Sequence, residues 1–216
     1  MGYGFKVEIR GDYACFSRPE LKVERVSYDV ITPSAARGIL EAVMWKPAIR
    51  YIIDEVVVCA TVCFESIRRN EVGFKASSFE PKSANDGRQQ RASMVLRNVH
   101  YVVTAHFEMT DIAQKNDNEG KFAEMIRRRL EKGQCFHEPY LGTREFPAKL
   151  RLIKEDEVLP TPINDTRSLG VMLYDIDYIK EIDKHGDEIV KEFRPTYFIA
   201  EMKRGVIDLR NVEVLR

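Results

Sequence analysis

The sequence predicts an α+β fold with a small antiparallel β appendage at its C-terminal end, and three observations carry that expectation. Segments alternating with period two stand apart from segments of helical period, in the order strand, helix, strand, strand, helix, strand. A linker-like stretch at Pro160, Thr161 and Pro162 then separates this series from two further strand-like segments. Finally, 216 residues, 44% hydrophobic and 31% charged, suffice for one large core plus an appendage in an ordinary globular protein.

Taken in order, Phe5, Val7 and Ile9 alternate with Lys6, Glu8 and Arg10, the pattern of a half-buried strand closed by Gly11 and Asp12. Thr32 and Pro33 supply the N-cap and first turn of a helix whose apolar face is Ala36, Ile39, Leu40 and Val43. Pro47 is expected to stop that helix just after Trp45 and Lys46. The β-branched density from Ile49 to Ile67 reads as one long strand, with Cys59 and Cys63 as small core thiols. Arg68 to Gln90 loses periodicity and gains Gly, Ser, Asn and Lys, the composition of a projecting hairpin or mobile loop. A second long strand runs from Val95 to about Met109.

After Asn118 and Glu119, the residues Phe122, Met125, Ile126 and Leu130 mark one face of a second helix that ends at Gly133. Phe146 to Ile153 resumes as a strand, and the resulting order is the ferredoxin-like arrangement. Val171 to Ile179 and Thr196 to Met202 read as strands around a turn at Gly186. The expected division is 1–154 for the ferredoxin-like unit, with a projecting basic loop over 68–93, and 155–216 for the β-rich appendage.

Thirty-four basic residues balance 34 acidic ones, so net charge favours neither nucleic acid nor membrane as a partner. Distribution is more telling. Arg68, Arg69, Lys75, Lys82, Arg88, Arg91 and Arg97 form a basic stretch, and acidic residues dominate from Glu155 to Glu192. The four cysteines have no Cys-x-x-Cys spacing and the N-terminus has no basic-then-apolar signal, which reads as a cytoplasmic protein with reduced thiols. No apolar run approaches the roughly 20 residues needed to cross a bilayer, so no membrane partner is expected. His100, His106, His137 and His185 lack metal-ligand spacings, and no phosphate-loop or dinucleotide fingerprint is present; no metal and no cofactor are expected.

Gly120 and Lys121 open the second helix, where a flexible backbone and a mobile cation suit an anionic phosphate. Arg127, Arg128, Arg129 and Lys132 extend positive charge along the same helix, and Arg88 and Arg91 add more from the preceding loop. Such clusters supply the sequence-independent part of nucleic-acid affinity. His100 and His106 share a face of one strand; hydrogen-bonded partners in a half-buried sheet are the plainer reading, above all for His106, while His100 has the chemistry of a general acid or base. Trp45 reads as a core anchor more than as a stacking platform.

Several separated blocks then coincide. They are Phe5 to Phe16 with Gly11, Asp12 and Tyr13, and the run Glu24 to Pro47 containing Tyr28, Thr32, Pro33, Arg37, Gly38, Trp45, Lys46 and Pro47. Arg88 to Arg91, Asn118 to Lys121, and Gly133 to Phe136 followed by Pro139 to Gly142 and Arg144 to Phe146 complete the set. Together they resemble the CRISPR-associated repeat-processing proteins of type I-C (Dvulg) systems, in the RAMP superfamily.

The resemblance implies a metal-independent endoribonuclease that cuts the repeat hairpin of the CRISPR precursor transcript and then stays in the interference complex with the crRNA and its 5′ handle. It also implies the ferredoxin-like (RRM-like) domain, the β appendage, and the ribose 2′-OH as nucleophile. The family's catalytic set is a tyrosine before Trp-Lys-Pro and a Lys-His pair after Glu-Gly; those positions hold Met44, Lys121 and Phe122 here. Lys121 is therefore expected to stabilise the transition state, with His100 as substitute proton carrier and Tyr140 and His137 behind it. Arg37, Lys46, Arg88, Arg91, Gly120, Arg127, Arg128, Tyr140 and Arg144 are expected to bind RNA. The alternative is a non-catalytic subunit holding the 5′ handle; double-stranded DNA as a partner rests only on the basic loop.

Overall fold

In the computed structural model the described residues are 4–21, 24–74, 80–154, 156–182 and 188–216; Lys75, His185 and the turn expected at Gly186 lie outside them. The spine of the main sheet is β5 (Arg88–Met109). Along one side it pairs antiparallel with β1 (Phe5–Ala14), from Phe5 opposite Ala105 to Ala14 opposite Leu96, and then parallel with the short β2 (Arg25–Val26). Along the other it pairs antiparallel with β3 (Ile49–Val58) and then with β4 (Phe64–Val72). The edges are β6 (Lys149–Ile153) beside β1 and β9 (Val206–Asp208) beside β3, so the order across the sheet is β6-β1-β5-β3-β9.

The single strand expected over Ile49–Ile67 is thus two strands that cover successive halves of β5. Between them the chain leaves the sheet opposite Asn98, whose φ of 52° bends β5. Asparagine tolerates this left-handed conformation because its short side chain bonds locally. Strand propensity reports which residues suit a pleated surface and is blind to such a break. Cys59 and Cys63 fall in the gap, and Cys63 is exposed where a core thiol was expected. Within the stretch from Arg68 to Gln90, Arg68–Val72 and Arg88–Gln90 pair as a hairpin of β4 with β5, and Ala84–Gly87 form a short 3-10 turn before β5.

Helix α1 (Pro33–Val43) begins as its sequence dictates: the Thr32 hydroxyl accepts the Ala35 N–H at 3.2 Å and Pro33 occupies the first turn. It ends at Val43, earlier than Pro47 requires. The reason is tertiary. Its last carbonyls are taken by distant donors: Ala42 by the Phe136 and His137 amides, Val43 by the Arg129 guanidinium at 2.7 Å, and Met44 by the Tyr51 hydroxyl at 2.8 Å. These bonds satisfy carbonyls that another helical turn would otherwise have served. Helix α2 (Glu119–Lys132) ends, as its sequence indicates, at Gly133 with φ 62°.

Both helices cover one face of the sheet. Ile39 and Leu40 of α1 and Phe122, Ile126 and Leu130 of α2 join Val7, Ile9, Tyr101 and Val103 in one core, each large side chain contributing roughly 1.5–3 kcal/mol by leaving water. On the opposite face Val57, Val102 and Ile153 form a small apolar patch beside the polar residues Glu8 and His100. Strands β7 (Arg167–Ile182) and β8 (Glu188–Met202) make a separate two-stranded sheet. Its Met172, Phe198, Ala200 and Met202 enter the same core, and Asp175 on β7 receives the Arg37 guanidinium of α1 at 2.6 Å.

Candidate nucleic-acid interface

At the start of α2, Asn118 caps the helix by accepting the Lys121 N–H at 2.8 Å. Gly120 is helical there, so the flexible glycine loop expected from the sequence is instead a capped first turn. The Lys121 side chain is about half exposed and its ammonium lies 3.3 Å from Asp117. An exposed pair of this kind is weak and exchanges readily for a phosphate of higher charge. Farther along, Arg127 and Arg128 are exposed, whereas Arg129 is committed to the end of α1.

The chain after α2 runs back along α1. Phe136 and His137 bond the C-terminal carbonyl of Ala42, and Tyr140 and Gly142 lie beside Thr32 and Ser34 at the N-terminal end. Beyond them Leu141 is fully buried, its carbonyl accepting the Cys15 N–H at 3.0 Å, while Arg144 is exposed. Glu145 receives Arg69 of β4, which ties this turn to the basic hairpin. At the other end of α1, Trp45 and Lys46 are both exposed. Trp45 is not the core anchor its hydrophobicity suggested: it stands in solvent just past the end of α1. Lys46 thus stands at the C-terminal end of α1, Arg127 lines the groove between α2 and strands β1 and β6, and Tyr140 lies at the N-terminal end of α1, with the hairpin tied in through Glu145.

Not every expected cation is free. Arg37 is spent on Asp175 and Glu41 and holds α1 to β7. On the hairpin, Arg88 donates to Asn85 at 2.7 Å, and Arg91 donates to Gln89 and pairs with Glu71.

His100 and His106 sit on the sheet face away from the helices, each bound to a carboxylate: His100 Nε2 lies 2.8 Å from Glu8 and His106 Nδ1 lies 2.9 Å from Asp54. The structure thus separates His100 from Lys121 by the thickness of the sheet. Glu8 is the hub of this face, receiving Arg10 at 2.6 Å and Arg151 at 2.7 Å in addition to His100. Burial raises its carboxyl, but the hydrogen bonds from Arg10, Arg151 and His100 outweigh burial and hold it down at about 2.

Because the folded value is depressed below the ordinary 4.5, the stabilisation is complete above about pH 5 and is lost as pH falls towards 2. Glu8→Gln is expected to cost about 2 kcal/mol at pH 7, allowing for screening of the exposed guanidiniums, and to flatten the acid limb of stability. Urea melts of both proteins from pH 7 to 3 check this, and parallel pH profiles would refute it.

The two positions that depart from the family's catalytic set are both core residues, with Met44 1% and Phe122 2% exposed. No group of three or more metal-ligating side chains occurs among the described residues. Among those residues, too, no helix is long and apolar enough to cross a membrane.

An antiparallel sheet backed by two helices, with a β hairpin packed against them, is the fold of known CRISPR-associated proteins. One solved structure, titled a CRISPR-associated protein, covers 96% of this chain and 92% of its own at a TM-score of 0.69 and 22% identity. A functionally uncharacterized protein from Streptococcus mutans covers the same shares at 0.67 and 22%. At that identity the likeness concerns fold alone. The sequence itself goes further: residues 4–210 match the Cas5d model of the CRISPR-associated Cas5 proteins, and the chain belongs to that family. It is 47% identical to the CRISPR pre-crRNA endoribonuclease Cas5d of Mannheimia succiniciproducens, over 97% of this chain and 96% of that protein. The protein of the same name from Thermus thermophilus is also 47% identical, over 94% of this chain and 90% of its own.

Proposed function

We propose that this protein is a metal-independent endoribonuclease that cuts CRISPR precursor transcripts at the repeat hairpin inside the cell, then remains with the crRNA 5′ handle as a subunit of the type I-C interference complex. The observation that carries this reading is the near-full-length match to two proteins named as pre-crRNA endoribonucleases. The frame is ferredoxin-like: removing β2, β4 and β9 leaves strands β1, β3, β5 and β6 with two helices on one face, in the order β6-β1-β5-β3. Residues 1–154 make the RNA-processing unit in this reading and 155–216 the β-rich appendage, which shares its core through Met172 and Phe198, adds β9 to its sheet and pairs Asp175 with Arg37.

The 2′-OH attacks the adjacent phosphate, the bond to the 5′-oxygen breaks, and Lys121 stabilises the charge that develops on the phosphate. A proton carrier must serve the hydroxyl. His100 has the chemistry but is held by Glu8 on the opposite face of the sheet, and Tyr140 and His137 stand behind it, His137 beside the C-terminal end of α1. RNA contacts are assigned to Lys46, Gly120, Arg127, Arg128, Tyr140 and Arg144, with Arg88 and Arg91 from the hairpin; Arg37 acts through packing. Duplex DNA rests only on the hairpin cations.

Incubation with cognate repeat RNA in EDTA is expected to give a single cut at the base of the stem. A 2′-deoxy substitution at the cut site removes the nucleophile and is expected to abolish cutting while sparing binding. Intact all-ribose RNA with tight binding would overturn the nuclease. It would favour a non-catalytic subunit holding the 5′ handle, the reading supported by burial of Met44 and Phe122.

A further inference from the structure

Two large aromatic rings stand in solvent at the C-terminal end of α1: Trp45 is 57% exposed and Phe136 79%. They come from chain segments about 90 residues apart, and the same helix end holds both. The Phe136 amide donates to Ala42 at 2.8 Å, and its ring packs edge-to-face on His137 with centroids 5.8 Å apart. Trp45 is fixed from either side. Before it, Met44 is buried and its carbonyl accepts the Tyr51 hydroxyl; after it, the Pro47 carbonyl accepts the Thr110 hydroxyl at 2.6 Å and the Lys46 carbonyl accepts the Ile49 N–H.

A ring exposed on so braced a backbone loses little further freedom when something covers it, which is the condition for an efficient contact. The surrounding charge states what the cover is. Segments 44–50 and 127–138 carry exposed Lys46, Arg128 and Lys132 against Glu131 and Glu138, while Arg129 is held by the Val43 carbonyl, Arg50 pairs with Asp175 and Arg127 lines the groove against β1 and β6. Exposed aromatics interleaved with cations match a single-stranded nucleic acid, whose bases stack while its phosphates are neutralised.

We propose that Trp45 and Phe136 form a platform on which unpaired bases of the bound RNA stack, with Lys46 neutralising the adjacent phosphate. The platform rests on the RNA-processing reading and adds to it a site for the single-stranded part of the substrate, distinct from the reacting phosphate at Lys121.

Trp45 is the only tryptophan of the chain, so its fluorescence reports on this position alone. The full chain is titrated with fluorescein-labelled repeat RNA carrying its single-stranded flanks, and anisotropy and tryptophan emission are followed together. Emission is expected to be quenched along the same isotherm as the anisotropy. Trp45→Ala and Phe136→Ala should each weaken binding about 10-fold, and Trp45→Phe should retain most of the affinity. The salt dependence should hardly change in the ring variants, whereas Lys46→Ala lowers its slope by about 1. All four variants alter exposed side chains, and thermal melts confirm that they fold.

Full-affinity RNA binding with unchanged emission, and with both alanine variants equal to the parent, overturns the platform and leaves the RNA reading standing. No RNA binding by any form overturns that reading and the platform with it. Emission that changes only when other subunits of the complex are added assigns the surface to a protein and also overturns the proposal.

Discussion

Lys121→Ala is expected to slow single-turnover cleavage of the repeat RNA by about 100- to 1000-fold, the cost of deleting one oriented donor at a developing oxyanion. The structure makes this a clean test. The side chain is about half exposed, its sole ion pair among the described residues is with Asp117, and the cap that starts α2 uses the Lys121 backbone amide, which alanine retains. Stability should therefore change little, and affinity should fall only by what one phosphate contact contributes. Lys121→Arg keeps the charge but replaces a compact ammonium with a planar fork, so it should recover part of the rate. Cleavage kinetics paired with anisotropy separate these effects. A rate equal to the parent's would place the reacting phosphate elsewhere and return attention to the exposed His137. A fall in affinity equal to the fall in rate would make Lys121 a binding residue only.

How much of this was legible beforehand depended on whether the cause was local. Thr32 and Pro33 start α1 by interactions within one turn, and Asn118 and Gly133 bound α2 in the same way, so those ends could be read from neighbouring residues. The end of α1 could not, because its determinants are Arg129, Phe136 and Tyr51, which only the fold brings to the carbonyls. Trp45, expected in the core, is exposed just past that end. His100 shows the same limit. Strand parity correctly placed it with His106 on one face, but Glu8, 92 residues away, fixes its hydrogen bond, and the sheet separates it from Lys121. The break between β3 and β4 answers to the bend at Asn98 on another strand. Residue blocks shared with a family carried function farther than periodicity did, since the chain matches the Cas5 family over residues 4–210.

Gly142→Ala is expected to destabilise the protein by about 4 kcal/mol or more, the range reached when a fixed backbone must move. Gly142 has φ +83°, and an added Cβ would stand 2.0 Å from the Cys15 carbonyl oxygen and 2.6 Å from its carbon. Those are backbone atoms, so no side-chain rotation relieves the overlap. Nor can the turn retreat cheaply: the Cys15 N–H donates to Leu141 at 3.0 Å, the Leu141 N–H to Phe146 at 2.7 Å, and Leu141 is fully buried against Gly11. Moving the turn breaks these bonds and also shifts Tyr140 and Arg144, which are proposed to contact RNA, so on that proposal affinity should fall with stability. Gly133→Ala supplies the control. Its φ is nearly as unfavourable at +62°, yet nothing lies within 4 Å of its added Cβ. It should cost only the left-handed backbone term, about 1–2 kcal/mol. Thermal melts should place Gly142→Ala roughly 10 °C below the parent and Gly133→Ala much closer to it. Equal losses would mean that backbone conformation alone governs both positions and that the contact between this turn and β1 is looser than the structure shows.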